Sequence, residues 1–261
     1  MITLLKLGGS LITDKNKPHT ARPEVIRRLA REIKESRTDS ENPLIIGHGS
    51  GSFGHMPAKK YNTRNGVYNK KDWAGFAEVH AEATALNHII TDILREEGLQ
   101  ILSFVPMDSV RADNSIISTW DTSSIKQALA NNLIPVVFGD TVFDDALGGT
   151  ILSTEDLFVH LCSEFDEKPN ILLAGLEEGV WRDYPMNTTL IREIAADEAD
   201  ESFISGSASI DVTGGMREKV RLMKSLVREG KANEAVIFSG EIPGNLYKAL
   251  YGQETGTCIK N

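Results

Sequence analysis

Cysteine is scarce in this chain of 261 residues: Cys162 and Cys258 are the whole complement, and they form no Cys-x-x-Cys pair. A disulfide framework and a thiolate zinc site are both excluded, and the two thiols read as small packed hydrophobes in a reducing compartment. No apolar run reaches the ~18 residues that span a bilayer. The apolar start Met1–Ile12 is interrupted by Lys6 and Gly8-Gly9 and is followed by no small-residue cleavage site. It is not a signal peptide, and a cytoplasmic location is expected. Positive charge is also in short supply, with 28 Lys and Arg against 37 Asp and Glu, a net charge of −9. Nucleic acid or an anionic membrane surface would repel such a chain at long range, so neither is expected as a partner. Solenoid repeats and low-complexity tracts are missing too. The only Gly-Lys pair, Gly230-Lys231, is followed by Ala232, which removes the Walker-type nucleotide loop.

What the chain does have is alternation. Ile2–Leu7, Leu44–Gly47, Gln100–Val105, Ile134–Phe138, Asn170–Ala174 and Ala235–Phe238 are short, continuously apolar runs, the pattern of parallel strands covered on both faces. Helical period fills the gaps at Pro23–Glu35, Trp73–Glu97, Asp121–Asn131 (opened by a capping Asp), Thr154–Phe165 and Met216–Glu229. The expected fold is α/β, a three-layer α/β/α sandwich around a mainly parallel sheet. One domain over 1–261 is expected. The polar stretch Asp166–Asn170 divides it into lobes of about 1–165 and 166–261 that share the sheet. Lys59–Asp72 reads as a long polar and aromatic loop, a candidate lid.

Four glycine clusters punctuate the chain, Gly8-Gly9, Gly47 through Gly54, Gly148-Gly149 and Gly214-Gly215; the first two follow predicted strands and the last precedes a predicted helix. Glycine at the carboxyl end of a parallel strand lets backbone N–H groups approach an anion, and a following helix adds positive potential. Gly49-Ser50-Gly51-Ser52-Phe53-Gly54 matches a dinucleotide fingerprint. Pro57 and the basic stretch beyond it do not read as a crossover helix, however, and Asp72 follows a loop, so a nicotinamide enzyme is disfavoured. Phosphoryl transfer needs cations and oriented donors around phosphate oxygens. Lys6, Lys15 and Lys219 stand beside the clusters, and His55 ends the second one.

These residues carry a resemblance. Lys6-Leu7-Gly8-Gly9-Ser10-Leu11-Ile12-Thr13-Asp14-Lys15, then His48-Gly49-Ser50-Gly51-Ser52-Phe53-Gly54-His55, then Gly139-Asp140, then Asp211–Met216 with Lys219 resemble, in order, the motifs of the amino acid kinase fold family. The resemblance implies transfer of the ATP γ-phosphoryl group onto isopentenyl phosphate, in isoprenoid biosynthesis, with Mg²⁺ and in a homodimer. It implies that Lys6, Gly8, Gly9, Ser10, Gly51, Gly179, Gly215 and Lys219 hold ATP. Lys15 would stabilise the transferring group. Ser50, Gly51 and His55 would meet the acceptor phosphate, as would Thr154. Phe76, Val79 and Ile151 are the expected walls for the prenyl tail, and no protein ligand to the metal is expected. Two departures stand out: Ser50 replaces a glycine of the family's loop, and Ala174–Trp181 lacks the family's Thr and Asp near the nucleotide. The alternatives are a kinase of this fold acting on another small phosphate or phosphonate such as fosfomycin, or a non-catalytic small-ligand sensor.

Overall fold

A computed structural model describes residues 1–38, 42–198 and 215–261. Among these, the first half runs β1 (Thr3–Leu7), α1 (Gly9–Ile12), α2 (Pro23–Thr38), β2 (Leu44–His48), α3 (Gly51–Tyr61), a 3-10 turn (Thr63–Asn65), α4 (Lys70–Glu96), β3 (Ile101–Ser103), α5 (Pro106–Ser109), β4 (Val110–Asp113), β5 (Ile116–Trp120) and α6 (Ser123–Ala130). The second half runs β6 (Ile134–Phe138), β7 (Asp140–Asp144), β8 (Gly148–Leu152), α7 (Thr154–Cys162), β9 (Asn170–Gly175), β10 (Val180–Trp181), β11 (Leu190–Ile191), β12 (Glu193–Ala195), α8 (Met216–Arg228), β13 (Glu234–Ser239), α9 (Asn245–Leu250) and β14 (Thr257–Lys260).

Strict alternation of direction in the buried strands explains the layering. Leu4, Ile45, Val137, Ile171 and Leu173 point into a core with Ile125, Leu157, Phe158, Val220 and Met223. Their neighbours Leu5, Ile46, Val136 and Leu172 point the opposite way, against Ile26, Leu29, Leu86, Ile90 and Leu246. Apolar character at every position is therefore two cores read off one strand. The eight-stranded sheet has the order β12-β14-β13-β9-β1-β2-β6-β3. From β13 to β3 neighbouring strands are parallel; β14 runs antiparallel to β13, and β12 lies parallel to β14. The expected three-layer sandwich is the fold observed, and its sheet takes strands from both sides of residue 165.

Several elements differ from the sequence reading. A second sheet, β5-β4-β7-β8, appears where the sequence reading placed no strands; its strands mix polar and exposed positions with buried ones, and β4 alternates buried and exposed, so none is apolar throughout. Residues 51–61 are helical despite Pro57. The proline lies buried inside α3, and the helix ends only where Asn62 turns left-handed at φ 55°. The Lys59–Asp72 loop thus shrinks to the short stretch around the 3-10 turn, since α4 starts early with the Asn69 side chain capping Lys71 and Asp72 N–H. Asp121 does not cap α6: it accepts from Ser123 N–H at 2.9 Å while Thr122 takes the N-cap position.

Candidate active site

Five of the parallel strands end on glycine at one edge of the sheet: Gly8 follows β1, Gly49 follows β2, Gly139 follows β6, Gly175 closes β9 and Gly240 follows β13. A cavity of about 440 Å³ lies over this edge, within the size range of small-molecule sites. Because the sheet order is β13-β9-β1-β2-β6, the cavity has two halves, with β1 and its lysine between them. Val79, Ala58, His55, Ile151 and Thr154 line the half over β2 and β6. Leu176, Trp181, Tyr184, Met216, Lys219 and Ile237 line the half over β9 and β13.

Two glycine loops meet on the β1–β2 side. Gly51 has φ +49°, and a Cβ there would stand 2.7 Å from the carbonyl oxygen of Gly9, so only glycine fits. Thr13 ties the loops together, its hydroxyl donating to Gly9 O (2.7 Å) and accepting from Ser52 N–H (2.9 Å). Ser50 has φ −78°, ψ −13°, an ordinary helical conformation. The family's glycine is therefore not needed at this position, and the serine sits in the cavity wall without strain.

Lys6 lies in β1 opposite Gly47 of β2. A side chain at 47 would collide with Thr154 and Phe158, so this glycine lets the start of α7 pack directly on the sheet. Ser153 and Asp156 form a capping box that fixes that start. Glu155, in the first turn of α7, pairs with Lys6; both side chains are nearly sealed from solvent, at 7% and 10% exposure. Burial pushes the Glu155 carboxyl up, but the positive charges of Lys6 and Lys219 outweigh burial and hold it below the usual carboxylate range. Its Oε2 is buried without a hydrogen-bond partner.

His48, four residues past the start of β2, belongs to the interior. It stacks on Phe138 at 5.3 Å and lies 3.1 Å from Asn87 Oδ1. Burial pushes its pKa down to about 4, so it is neutral and carries no charge toward the cavity. From α4, His80 Nδ1 lies 3.1 Å from both oxygens of Asp140, which starts β7 and is fully buried. The hydrogen bond to Asp140 raises the His80 pKa.

The cavity wall gathers Lys6, Gly8, Gly9, Ser10, Lys15, Ser50, His55, Val79, Ile151, Thr154, Gly179 and Lys219. Three expected residues are not in it. Phe76 is 4% exposed and packs with Trp73 (5.2 Å) and Phe143 (5.4 Å). The resemblance implied a tail-binding wall there; Phe76 instead packs among aromatic side chains against the second sheet. Gly51 lies behind the wall, spent on the contact with the Gly9 loop, and Gly215 stands one residue outside it as the N-cap of α8. The Asp211–Gly214 part of the last motif falls outside the described residues. Thr154 lines the cavity, but its hydroxyl donates to His48 O at 2.6 Å, which leaves the backbone amide to meet an anion. The sequence reading missed Glu155, Arg64, Glu177 and the aromatic pair Trp181 and Tyr184. Ser-x-x-Asp directly after a strand marks the helix start that carries Glu155; nothing local marks Arg64.

Residues 1–239 match the amino acid kinase family. The chain is 35% identical to the isopentenyl phosphate kinase of Methanocaldococcus jannaschii, over 99% of this chain and 98% of that one. It is 33% identical to the isopentenyl phosphate kinase of Methanothermobacter thermautotrophicus, over 98% of each. Among solved structures, an isopentenyl phosphate kinase matches with TM-score 0.82 at 31% identity, covering 99% of this chain and 100% of that one.

Proposed function

Since the chain belongs to the amino acid kinase family, we infer that it transfers the γ-phosphoryl group of ATP to isopentenyl phosphate, giving isopentenyl diphosphate and ADP. The observation that carries this reading is one cavity lined both by Lys6, Lys15, Lys219 and His55 and by the apolar Val79 and Ile151. An acceptor with an anionic head and a short hydrocarbon tail matches that polarity. The acceptor phosphate is already anionic and attacks in line without a strong general base. The task left to the protein is to bring two polyanions together and hold them aligned.

Two unit charges 4 Å apart interact by roughly 4 kcal/mol at an effective dielectric of about 20. Several cations are therefore required. Lys6 and Lys219 take the nucleotide phosphates with the amides of Gly8, Gly9 and Ser10, and Lys15 follows the charge of the transferring group. His55 and the Ser50 loop take the acceptor phosphate. Glu155 holds the Lys6 ammonium in place between the halves. The segment from 166 onward supplies the nucleotide half, with Trp181 and Tyr184 offering faces for a base; the first 165 residues supply the acceptor half. Trp181 Nε1 donates to Glu177 Oε2 at 3.2 Å, which fixes a carboxylate in the segment where this chain lacks the family's Asp.

Kinases of this kind imply Mg²⁺. Among the described residues no cluster of three or more His, Cys, Asp or Glu could hold a metal ion. A cation carried on ATP phosphates needs few protein ligands, and the unpartnered Oε2 of Glu155 is an oxygen donor of the right type. The residues fit such a cation, which would neutralise phosphate charge. We read the protein as a cytoplasmic homodimer. Both cysteines are free, and β3 is a sheet edge with Leu102 42% exposed. Light scattering tests the assembly.

Steady-state assays with ATP, Mg²⁺ and isopentenyl, dimethylallyl or geranyl phosphate or fosfomycin test the activity. Isopentenyl phosphate is expected to give the highest kcat/KM. Preference for fosfomycin would replace this reading with the phosphonate kinase.

A further inference from the structure

The 3-10 turn between α3 and α4 places one more cation in the cavity wall. Arg64 lines the cavity beside Ile151, Ser153 and Thr154. Its backbone is anchored, since the Thr150 hydroxyl donates to Arg64 O at 3.0 Å and Thr150 in turn meets Ser115. The guanidinium leans toward the helix start of α7, with Nη2 3.6 Å from Asp156 Oδ2. That separation is an ion-pair approach too long for a hydrogen bond. Both oxygen contacts that the Asp156 carboxylate makes nearby go to Ser153, to its N–H and its hydroxyl, at 2.7 Å each. Arg64 Nη1, meanwhile, is buried and has no hydrogen-bond partner.

A buried guanidinium N–H without an acceptor is costly, and native structures rarely keep one without a reason. The nearest acceptor, Asp156 Oδ2, already takes two hydrogen bonds from Ser153, and the Thr154 hydroxyl donates to His48 O. The rest of the fork belongs to a side chain 35% exposed that lines the cavity, where an anionic ligand can reach it. A guanidinium stays protonated throughout the physiological range, and its planar fork matches phosphate oxygens.

We propose that Arg64 binds the phosphate of the acceptor, donating from the exposed part of its guanidinium to a phosphate oxygen from the α7 side. This rests on the reading that the acceptor is a small organic monophosphate held in the β2–β6 half of the cavity. The role is binding, and the transferring group itself stays with the lysines.

The test is steady-state kinetics of Arg64→Gln and Arg64→Lys with isopentenyl phosphate and ATP varied in turn, beside thermal melting of each variant. One charge-assisted hydrogen bond is worth about 1.5–3 kcal/mol, so KM for isopentenyl phosphate is expected to rise roughly tenfold to a hundredfold in Arg64→Gln. KM for ATP should stay within about twofold, and Arg64→Lys should recover part of the loss. A purely structural pair with Asp156 would lower the melting midpoint and leave the acceptor KM alone; that result overturns the assignment. If Arg64→Gln does not fold, Arg64→Lys decides by the same comparison, and a wild-type acceptor KM there overturns it. Failure of the wild-type protein to use isopentenyl phosphate would instead overturn the reading beneath it.

Discussion

Replacing Glu155 by Gln keeps the shape of the side chain and removes the counter-charge of Lys6. The two groups are nearly sealed from water, and breaking a buried ion pair from one side costs about 3–5 kcal/mol, because the remaining charge stays buried. For a protein of this size that lowers the melting midpoint by roughly 10 °C. The phosphates of ATP can supply the missing negative charge, so saturating ATP should stabilise the variant more than the wild type. A pH series gives an independent check. The folded carboxyl is held below its ordinary value, so its contribution to stability is complete above the unfolded value of about 4.3. The contribution is lost as pH falls through the folded pKa, and the gap between wild type and variant should close in strong acid. Scanning fluorimetry with and without ATP, repeated across pH, measures all three effects. A variant that melts with the wild type and shows the same ATP shift would refute the claim that Glu155 holds Lys6.

His55→Ala is expected to raise the acceptor KM well beyond any change in ATP KM; equal effects on both substrates would remove His55 from the acceptor side. Lys15→Ala should lower kcat by one to two orders of magnitude, the range of about 1.4–2.8 kcal/mol, with ATP affinity nearly unchanged. Calorimetry with ATP and turnover assays separate the two, and an unchanged kcat contradicts the role. The His80 pKa is raised chiefly by its hydrogen bond to Asp140, so Asp140→Asn should lower it. NMR titration of the imidazole reads this directly, and an unmoved His80 titration would show that the pair is not responsible.

The parallel sheet was legible because Leu4 and Leu5, or Val136 and Val137, could be apolar side by side only if both faces were covered. The glycines after β1 and β2 were legible for the same reason, as breaks at the ends of apolar runs. The second sheet was not, since Val110–Asp113 alternates buried with exposed residues over only four positions. Helix α3 was hidden by Pro57, whose cost is absorbed by burial inside the packed layer. At the site, Lys6, Lys15, Lys219 and His55 announced themselves by adjacency to glycine. Glu155 and Arg64 did not, because each reaches the cavity through tertiary packing: the close approach of α7 allowed by Gly47, and the anchoring of the 3-10 turn by Thr150. At Phe76 the helical period was the better guide than the resemblance: it marks a packed face, the aromatic contact with Trp73 and Phe143.

Phosphorus NMR of a reaction containing isopentenyl phosphate, ATP and Mg²⁺ tests most directly whether one cavity joins two phosphate-bearing molecules. Loss of the monophosphate resonance with the appearance of coupled diphosphate signals, in step with ADP, is the predicted spectrum. ADP and inorganic phosphate forming while the monophosphate resonance persists would contradict it.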